Sequence, residues 1–311
     1  MLGLIIALAL LGVILIFVTL LSYYAYKSAF WSRGNASQVR EYFKKSDFLP
    51  LEEKISTLTS FLENDQYENV YIRSYDGLKL HARYYQIKEG APIQIFMHGY
   101  KGNPVRSMCG IYKIAKDNSH NVLLVDQRGC RESEGKAVTF GIKEKRDCLS
   151  WVEYISKRFP QSPIFLVGIS LGGASVLMAN RKTLPDSVVG VVADCPFTSP
   201  VEILKKVFYD KKIPKIFFPF IISGAILFAH FNPYSDTATK AVREAKVPIL
   251  LLHGEKDGFV PISMSEEIYS ACTSEKYIYR VKNADHALCS MVDYDGYERA
   301  TTEFLQKCLN K

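Results

Sequence analysis

The stretch Phe165–Asn180 reads FLVGISLGGASVLMAN, and its reading decides the fold. The first half is a short continuous apolar run, of the kind that forms a strand buried on both faces. The second half has the composition of a helix. Ser170 stands at the junction, between Gly168 and Gly172. A serine that attacks an electrophile must lift its oxygen clear of the sheet, so the chain has to turn sharply from strand into helix. Small residues two positions before and after let such a turn close. Gly168-Ile169-Ser170-Leu171-Gly172 is a G-x-S-x-G elbow, and it predicts a nucleophile at a strand end.

Outward from the elbow, further apolar runs alternate with helical stretches. They are Ile93–Met97, Val122–Asp126, Ile164–Gly168, Val188–Asp194, Val247–Gly254 and Lys276–Val281. Short apolar strands separated by helices predict an α/β fold, with a mostly parallel sheet covered on both faces. Reactive groups in such a sheet gather at the C-terminal strand ends. Two β-rich runs around Asp76-Gly77 predict a hairpin ahead of the first of these strands.

A serine hydroxyl needs a base, and the base needs a carboxylate to orient it. His286 follows the last strand in NADHALC, and Asp257 follows the preceding strand in HGEKDGFVP. Asp285 adjoins the histidine, but sequence neighbours point apart, so Asp257 is the expected orienter. The order Ser170, Asp257, His286 is that of the α/β-hydrolases. His98 and His253 sit in His-Gly pairs at strand ends and read as structural; His81, His120 and His230 carry no spacing signal. An oxyanion needs donors in place beforehand. The backbone N–H groups of Leu171 and of Tyr100, in the loop MHGYKGN, are expected to supply them. No His/Cys/carboxylate cluster has metal-ligand spacing, so neither metal nor cofactor is expected.

The N-terminus is of another kind. Leu2–Leu21 carries no charge and is long enough to cross roughly 30 Å of hydrocarbon as a helix. Tyr23, Tyr24 and Tyr26 follow, where interfacial aromatics belong. The run exceeds a usual signal-peptide core and no A-x-A site follows it, so residues 1–27 are expected to remain as an anchor. Lys27, Arg33, Arg40, Lys44 and Lys45 follow the span and predict a cytoplasmic catalytic domain. Seven scattered cysteines without a C-x-x-C pair agree with reduced thiols. Residues 28–66 read as a juxtamembrane helical linker, and 67–311 as the hydrolase domain.

Within that domain, residues 199–243 are too long for a simple crossover and read as a helical cap over the strand ends. Phe217 and Phe220 in its apolar part are expected to bind an acyl chain. Lys205, Lys206, Lys211, Lys212 and Lys215 before them suit anionic headgroups, which makes membrane lipid the expected partner. The net charge of +7 is dispersed and no nucleic-acid motif occurs, so nucleic-acid binding is not expected.

The segments HGYKGN, VDQRGCRESEGK, GISLGG, DCPFTSP, HGEKDGFVP and NADHALC occur in the order seen in the α/β-hydrolase superfamily. From about Tyr67 to its end, about four fifths of its length, the chain resembles that superfamily's membrane-anchored BEM46-like and serine-aminopeptidase-like bacterial hydrolases. The resemblance implies hydrolysis through an acyl-enzyme formed on Ser170, with His286 and Asp257. Relatives often carry a His-Gly pair where this chain has Cys130 and Arg131, a change that bears on substrate preference. Superfamily members cleave esters, thioesters or peptide bonds. The apolar, lysine-rich cap favours a small-molecule acyl ester. A peptidase or amidase, and a non-catalytic anchored binding protein, are the alternatives.

Overall fold

The computed structural model describes residues 1–32 and 51–311. Of the basic residues flanking the span, Arg33, Arg40, Lys44 and Lys45 lie outside the described residues. Eight strands form one sheet: β1 (Glu68–Arg73), β2 (Lys79–Tyr85), β3 (Ile93–Met97), β4 (Asn121–Asp126), β5 (Ile164–Ile169), β6 (Val188–Asp194), β7 (Ile249–Gly254) and β8 (Lys276–Val281). Their order across the sheet is β1-β2-β4-β3-β5-β6-β7-β8. The hairpin partner β2 runs antiparallel to β1 and β4, and every pairing from β4 to β8 is parallel. The strand order reverses at β3, which lies between β4 and β5, and an α/β sheet opens its crevice at such a switch point. The loop after β3 and the elbow after β5 therefore stand side by side.

Alternation along the strands builds two apolar layers. Ile93, Ile95, Met97, Leu123, Val125 and Leu166 face one of them, with Trp151 of α4 (Glu144–Arg158) and Leu177 of α5 (Leu171–Ala179). Phe96, Val122, Leu124, Phe165 and Val167 face the other, with Met108 and Tyr112 of α3 (Pro104–Asp117) and Phe304 of the C-terminal helix (Tyr294–Leu309). Fully burying each such side chain contributes about 1.5–3 kcal/mol.

The expected linker is corrected in two places. Helix α2 (Glu52–Glu63) buries Ile55 and Leu62 in the second layer, and Glu52 pairs with Arg106 at 2.7 Å. An apolar stripe at helical spacing makes this helix a layer of the domain. Nor does the chain come loose at residue 27. Helix α1 (Leu2–Ala29) is exposed over its apolar span but buries Ser22, Ala25 and Tyr26, and Phe30 beyond it is fully buried. The Tyr100 hydroxyl donates to the Ala29 carbonyl at 2.6 Å, and Ser32 Oγ donates to the Gly129 carbonyl at 2.6 Å. Tyr26, expected at a membrane interface, is thus enclosed by protein; Tyr24 is 74 % exposed.

The enclosing partner is the cap. It comprises α6 (Pro200–Asp210), a 3-10 turn (Lys215–Phe217) and α7 (Phe218–Leu227). A Cβ at Gly224 of α7 would lie 2.6 Å from the Ser22 carbonyl oxygen, so glycine is what lets α1 and α7 touch. Ser22 and Ser223 hydrogen-bond at 2.6 Å, and Phe228 meets Tyr23 and Tyr26 with ring centroids 5.3 and 5.9 Å apart. The cap also ends earlier than residue 243. Helix α8 (Ala238–Val242) buries Ala238, Ala241 and Val242 in the first layer, and Asp236 before it is held by Arg181 at 2.7 Å.

Candidate active site

Ser170 sits at φ 55° and ψ −113°, between β5 and α5. Such a conformation costs a non-glycine residue about 1–3 kcal/mol and persists because its surroundings determine it. A Cβ at Gly168 would collide with the backbone of Gly172 and Gly173, and one at Gly172 with the Met97 carbonyl. Both glycines are therefore required by close approach. The Ser170 N–H donates to the Asp194 carbonyl at 2.8 Å, tying the elbow to β6.

The loops after β7 and β8 bring Asp257 and His286 to this point. His286 Nε2 lies 2.9 Å from Ser170 Oγ, and Nδ1 lies 2.7 Å from Asp257 Oδ2. A carboxylate only accepts, so Nδ1 carries the proton and Nε2 accepts from the serine hydroxyl. All three residues are buried, at 5–7 % exposure, which strengthens each charge interaction. Asp285 instead accepts from the N–H groups of Gly258 and His286, at 3.1 and 2.7 Å, and clamps the two loops together.

Asp257 Oδ1 accepts from the N–H groups of Phe259 and Val260 at 2.9 and 2.7 Å. His253 Nε2 lies 3.3 Å from Oδ2 and 2.9 Å from the Val260 carbonyl. Both neighbours accept, so Nε2 of His253 must be the N–H, and Ser265 Oγ lies 2.7 Å from its Nδ1. Burial raises the Asp257 carboxyl, but His286 and His253 outweigh it and hold it well below the usual range. Sequence reasoning left His253 as structural. The signal was its spacing of four from Asp257, but the turn that folds one onto the other is a property of the folded loop.

The N–H groups of Leu171 and Tyr100, the expected oxyanion donors, lie in the turn after β5 and in the loop after β3. The Leu171 N–H belongs to the first turn of α5, where no intrahelical partner exists. Among the described residues, no backbone carbonyl takes the N–H of Leu171 or Tyr100. His98 anchors the Tyr100 loop: its Nε2 accepts from the Gln127 N–H at 3.2 Å, so Nδ1 donates to the Gly99 carbonyl at 2.7 Å. Cys195, at φ 42° after β6, was also missed. Its thiol, Asp257 and His286 have ligand atoms within 4.8 Å of one another. Burial, with the charges of Asp194 and Asp257, keeps that thiol well above its usual range, so it packs there as a neutral group.

Cys130 is buried and its thiol is pushed up to about 12, chiefly by burial. Arg131 reaches Asn103 Oδ1 at 3.5 Å, behind the Tyr100 loop. The cap is tied to the Asp257 loop by Lys206 Nζ on the Gly258 carbonyl, at 3.0 Å. The expected acyl-binding pair needs correction. Phe217 is 40 % exposed and Phe220 half-buried beside it, with ring centroids 6.2 Å apart. Phe218 turns inward onto Phe208 at 5.5 Å, and Ile221 and Phe228 also pack on the core. One residue along a helix is a rotation of about 100°, and a run apolar all round does not say which residue faces in.

The sheet, its switch point and the elbow define the class: the chain has the α/β-hydrolase fold, and a family model described as alpha/beta hydrolase fold matches residues 94–220. Within that fold its similarities are to BEM46-like proteins. It is 25 % identical over 214 residues to YqkD of Bacillus subtilis, covering 68 % of this chain and 70 % of that protein. It is 24 % identical over 251 residues to bem46 of Schizosaccharomyces pombe, covering 78 % and 77 %. Among solved structures, the esterase Pf2001 of Pyrococcus furiosus matches with a TM-score of 0.65 at 21 % identity, covering 79 % of this chain and 92 % of that one. At that identity the likeness speaks for the fold.

Proposed function

We propose that this protein is a membrane-anchored serine hydrolase that cleaves carboxylic esters of apolar acyl groups through an acyl-enzyme. The observation that carries the proposal is the continuous contact from Ser170 Oγ through the His286 ring to Asp257, at 2.9 and 2.7 Å. Ser170 Oγ attacks the ester carbonyl while His286 Nε2 takes its proton. The Asp257 carboxylate stabilises the imidazolium that forms. The N–H groups of Leu171 and Tyr100 hold the oxyanion. Collapse of the tetrahedral adduct breaks the C–O bond, and Nε2–H protonates the departing alkoxide. Water, deprotonated by the same nitrogen, then releases the acid and restores Ser170.

The anchoring part of the proposal rests on α1, which is long and apolar enough to cross a membrane, and on its packing against the cap. Ile216, Ile226 and Leu227, 75 %, 47 % and 53 % exposed, continue that apolar surface on the cap, with the lysines of residues 205–215 beside them. In this reading the cap rests on the leaflet that α1 crosses, and acyl esters reach Ser170 from the lipid. In this reading the catalytic domain is cytoplasmic, because Lys27 follows the span; protease protection in sealed cells tests this.

The decisive test is labelling of the full-length protein with a fluorophosphonate probe, alongside an ester series of increasing acyl length. Wild type should be labelled and Ser170→Ala should not, with unchanged circular dichroism. Labelling that survives in the folded Ser170→Ala protein removes the assignment.

A further inference from the structure

Lys101 is held in an unfavourable state twice over. It occupies the third position of a tight turn closed by the Gly102 N–H on the Gly99 carbonyl at 3.2 Å, and its φ is +47°. Glycine is the usual occupant of such a position, and a lysine there is strained. The residue is also only 6 % exposed. Its Nζ rests 4.9 Å from the centre of the Tyr100 ring, and among the described residues no acceptor hydrogen-bonds it. Among the described residues, the ionisable groups within electrostatic reach are Lys211, at the end of α6, and the neutral Cys130 thiol. Burial brings the ammonium down to about 8, with Cys130 opposing the shift and Lys211 adding to it.

Buried ammonium groups are ordinarily paired with an acid. Strain and an unpaired charge at one residue are consistent with a site that a ligand completes. Its location gives that ligand a place. Lys101 follows Tyr100, whose N–H is the proposed oxyanion donor, and a Cβ at Gly99 in the same turn would lie 3.8 Å from Ser170 Cβ. Lys211 brings a second positive charge from the cap.

We propose that Lys101, assisted by Lys211, binds an anionic group, a phosphate or a carboxylate, carried by the ester substrate close to its scissile bond. The inference rests on the hydrolase reading above and specifies its substrate class. A lysine ammonium offers three donors and a compact charge, and a charge-assisted hydrogen bond in a site shielded from water is stronger than a neutral one.

The test uses full-length protein in neutral detergent micelles, with 1-octanoylglycerol and 1-octanoylglycerol 3-phosphate as a matched pair. Wild type should prefer the phosphate ester by about tenfold or more in kcat/KM. Lys101→Met should remove most of that preference, Lys101→Arg should retain part of it, and Lys211→Ala should reduce it by a few-fold. An equal fall on both esters in Lys101→Met would mean that the lysine only holds the loop, and it overturns the proposal, as does an unchanged preference. Should Lys101→Met fail to fold, wild type decides. Octyl phosphate should inhibit hydrolysis of the neutral ester at concentrations where octanol and inorganic phosphate do not. Equal inhibition by octanol denies an anion site, and equal inhibition by inorganic phosphate denies that the anion is carried on the substrate. Absence of both probe labelling and hydrolysis sinks the hydrolase reading itself, whereas labelling without charge preference sinks this inference alone.

Discussion

The strand ends and the α1–α7 contact are built on opposite principles. Around Ser170 the groups are polar, buried and hydrogen-bonded, and Asp257 alone receives donors from His286, His253, Phe259 and Val260. Between α1 and α7 the contact is made by small and apolar residues, and the surface beside it is apolar and exposed. A buried polar network tolerates no missing member, because each unpaired group carries its full desolvation cost. A helix pair held by a glycine and a few rings tolerates small shifts, since dispersion is spread over many atoms. The first region is suited to fixing reacting atoms within tenths of an ångström. The second is suited to fixing where the cap stands relative to α1.

Mutation should expose this contrast most strongly at the elbow. Ser170→Ala and His286→Ala are each expected to lower kcat by about 10⁴-fold or more, because attack and proton transfer fail together. Steady-state kinetics with probe labelling checks this. A loss of tenfold or less in either folded variant would show that the polar network is not the reacting centre.

A smaller effect is expected one residue further out. His253→Gln should lower kcat by roughly tenfold to a hundredfold with KM little changed, since His253 acts on Asp257 rather than on substrate. The carboxyl of Asp257 is depressed in the folded state, so the stability it contributes is present above the ordinary carboxylate range and lost as pH falls through its folded value. Removing a donor raises that folded value. The acid-side loss of folding stability, read by urea unfolding across pH, should therefore begin at higher pH in His253→Gln than in wild type. A pH profile that only scales down, without moving, would assign His253 to packing.

The two regions were unequally legible in the sequence. The strands from Ile93 to Gly254 appear within two residues of where the apolar runs place them, because runs buried on both faces carry their own boundaries. Ser170, Asp257 and His286 were legible because each ends an apolar run or follows one. His253 was not, since its partner depends on how residues 254–260 turn back on β7. Hydropathy marks α1 only as a tether, because it measures how apolar a helix is and not what it touches. Ser22, Ala25 and Gly224 look unremarkable one at a time, and only their meeting shows a packed joint. Phe217 and Phe218 are chemically identical, so the backbone alone decides which of them faces in.

That joint gives the third prediction. Gly224→Leu places a side chain where a Cβ already lies 2.6 Å from the Ser22 carbonyl oxygen, and overpacking of this kind costs about 1–3 kcal/mol. The helices should separate while Ser170, remote in sequence and held by β5 and α5, stays in place. Turnover of an octanoyl ester presented in vesicles should fall several-fold, with hydrolysis of a soluble acetyl ester nearly unchanged. Parallel losses on both substrates would mean that the joint supports the site itself, and the contrast between the two regions would disappear.

The smallest expected effect separates the inner from the outer face of the cap. Phe217, 40 % exposed, has about half of its side chain free to enter lipid, whereas Phe218 packs on Phe208 at 5.5 Å. Burying a full phenylalanine side chain contributes about 1.5–3 kcal/mol, so the free half of Phe217 corresponds to about 1 kcal/mol, close to a fivefold change in partition. Phe217→Ser should weaken binding to anionic vesicles by about that factor and leave KM for soluble esters unaltered. Phe218→Ser should do the reverse, raising KM for octanoyl more than for acetyl esters while vesicle binding holds. Vesicle sedimentation and a two-substrate assay on both variants read the four numbers. If both variants shift the same quantity, the cap has no distinct faces. Lipid contact and acyl recognition would then have to be assigned to one surface.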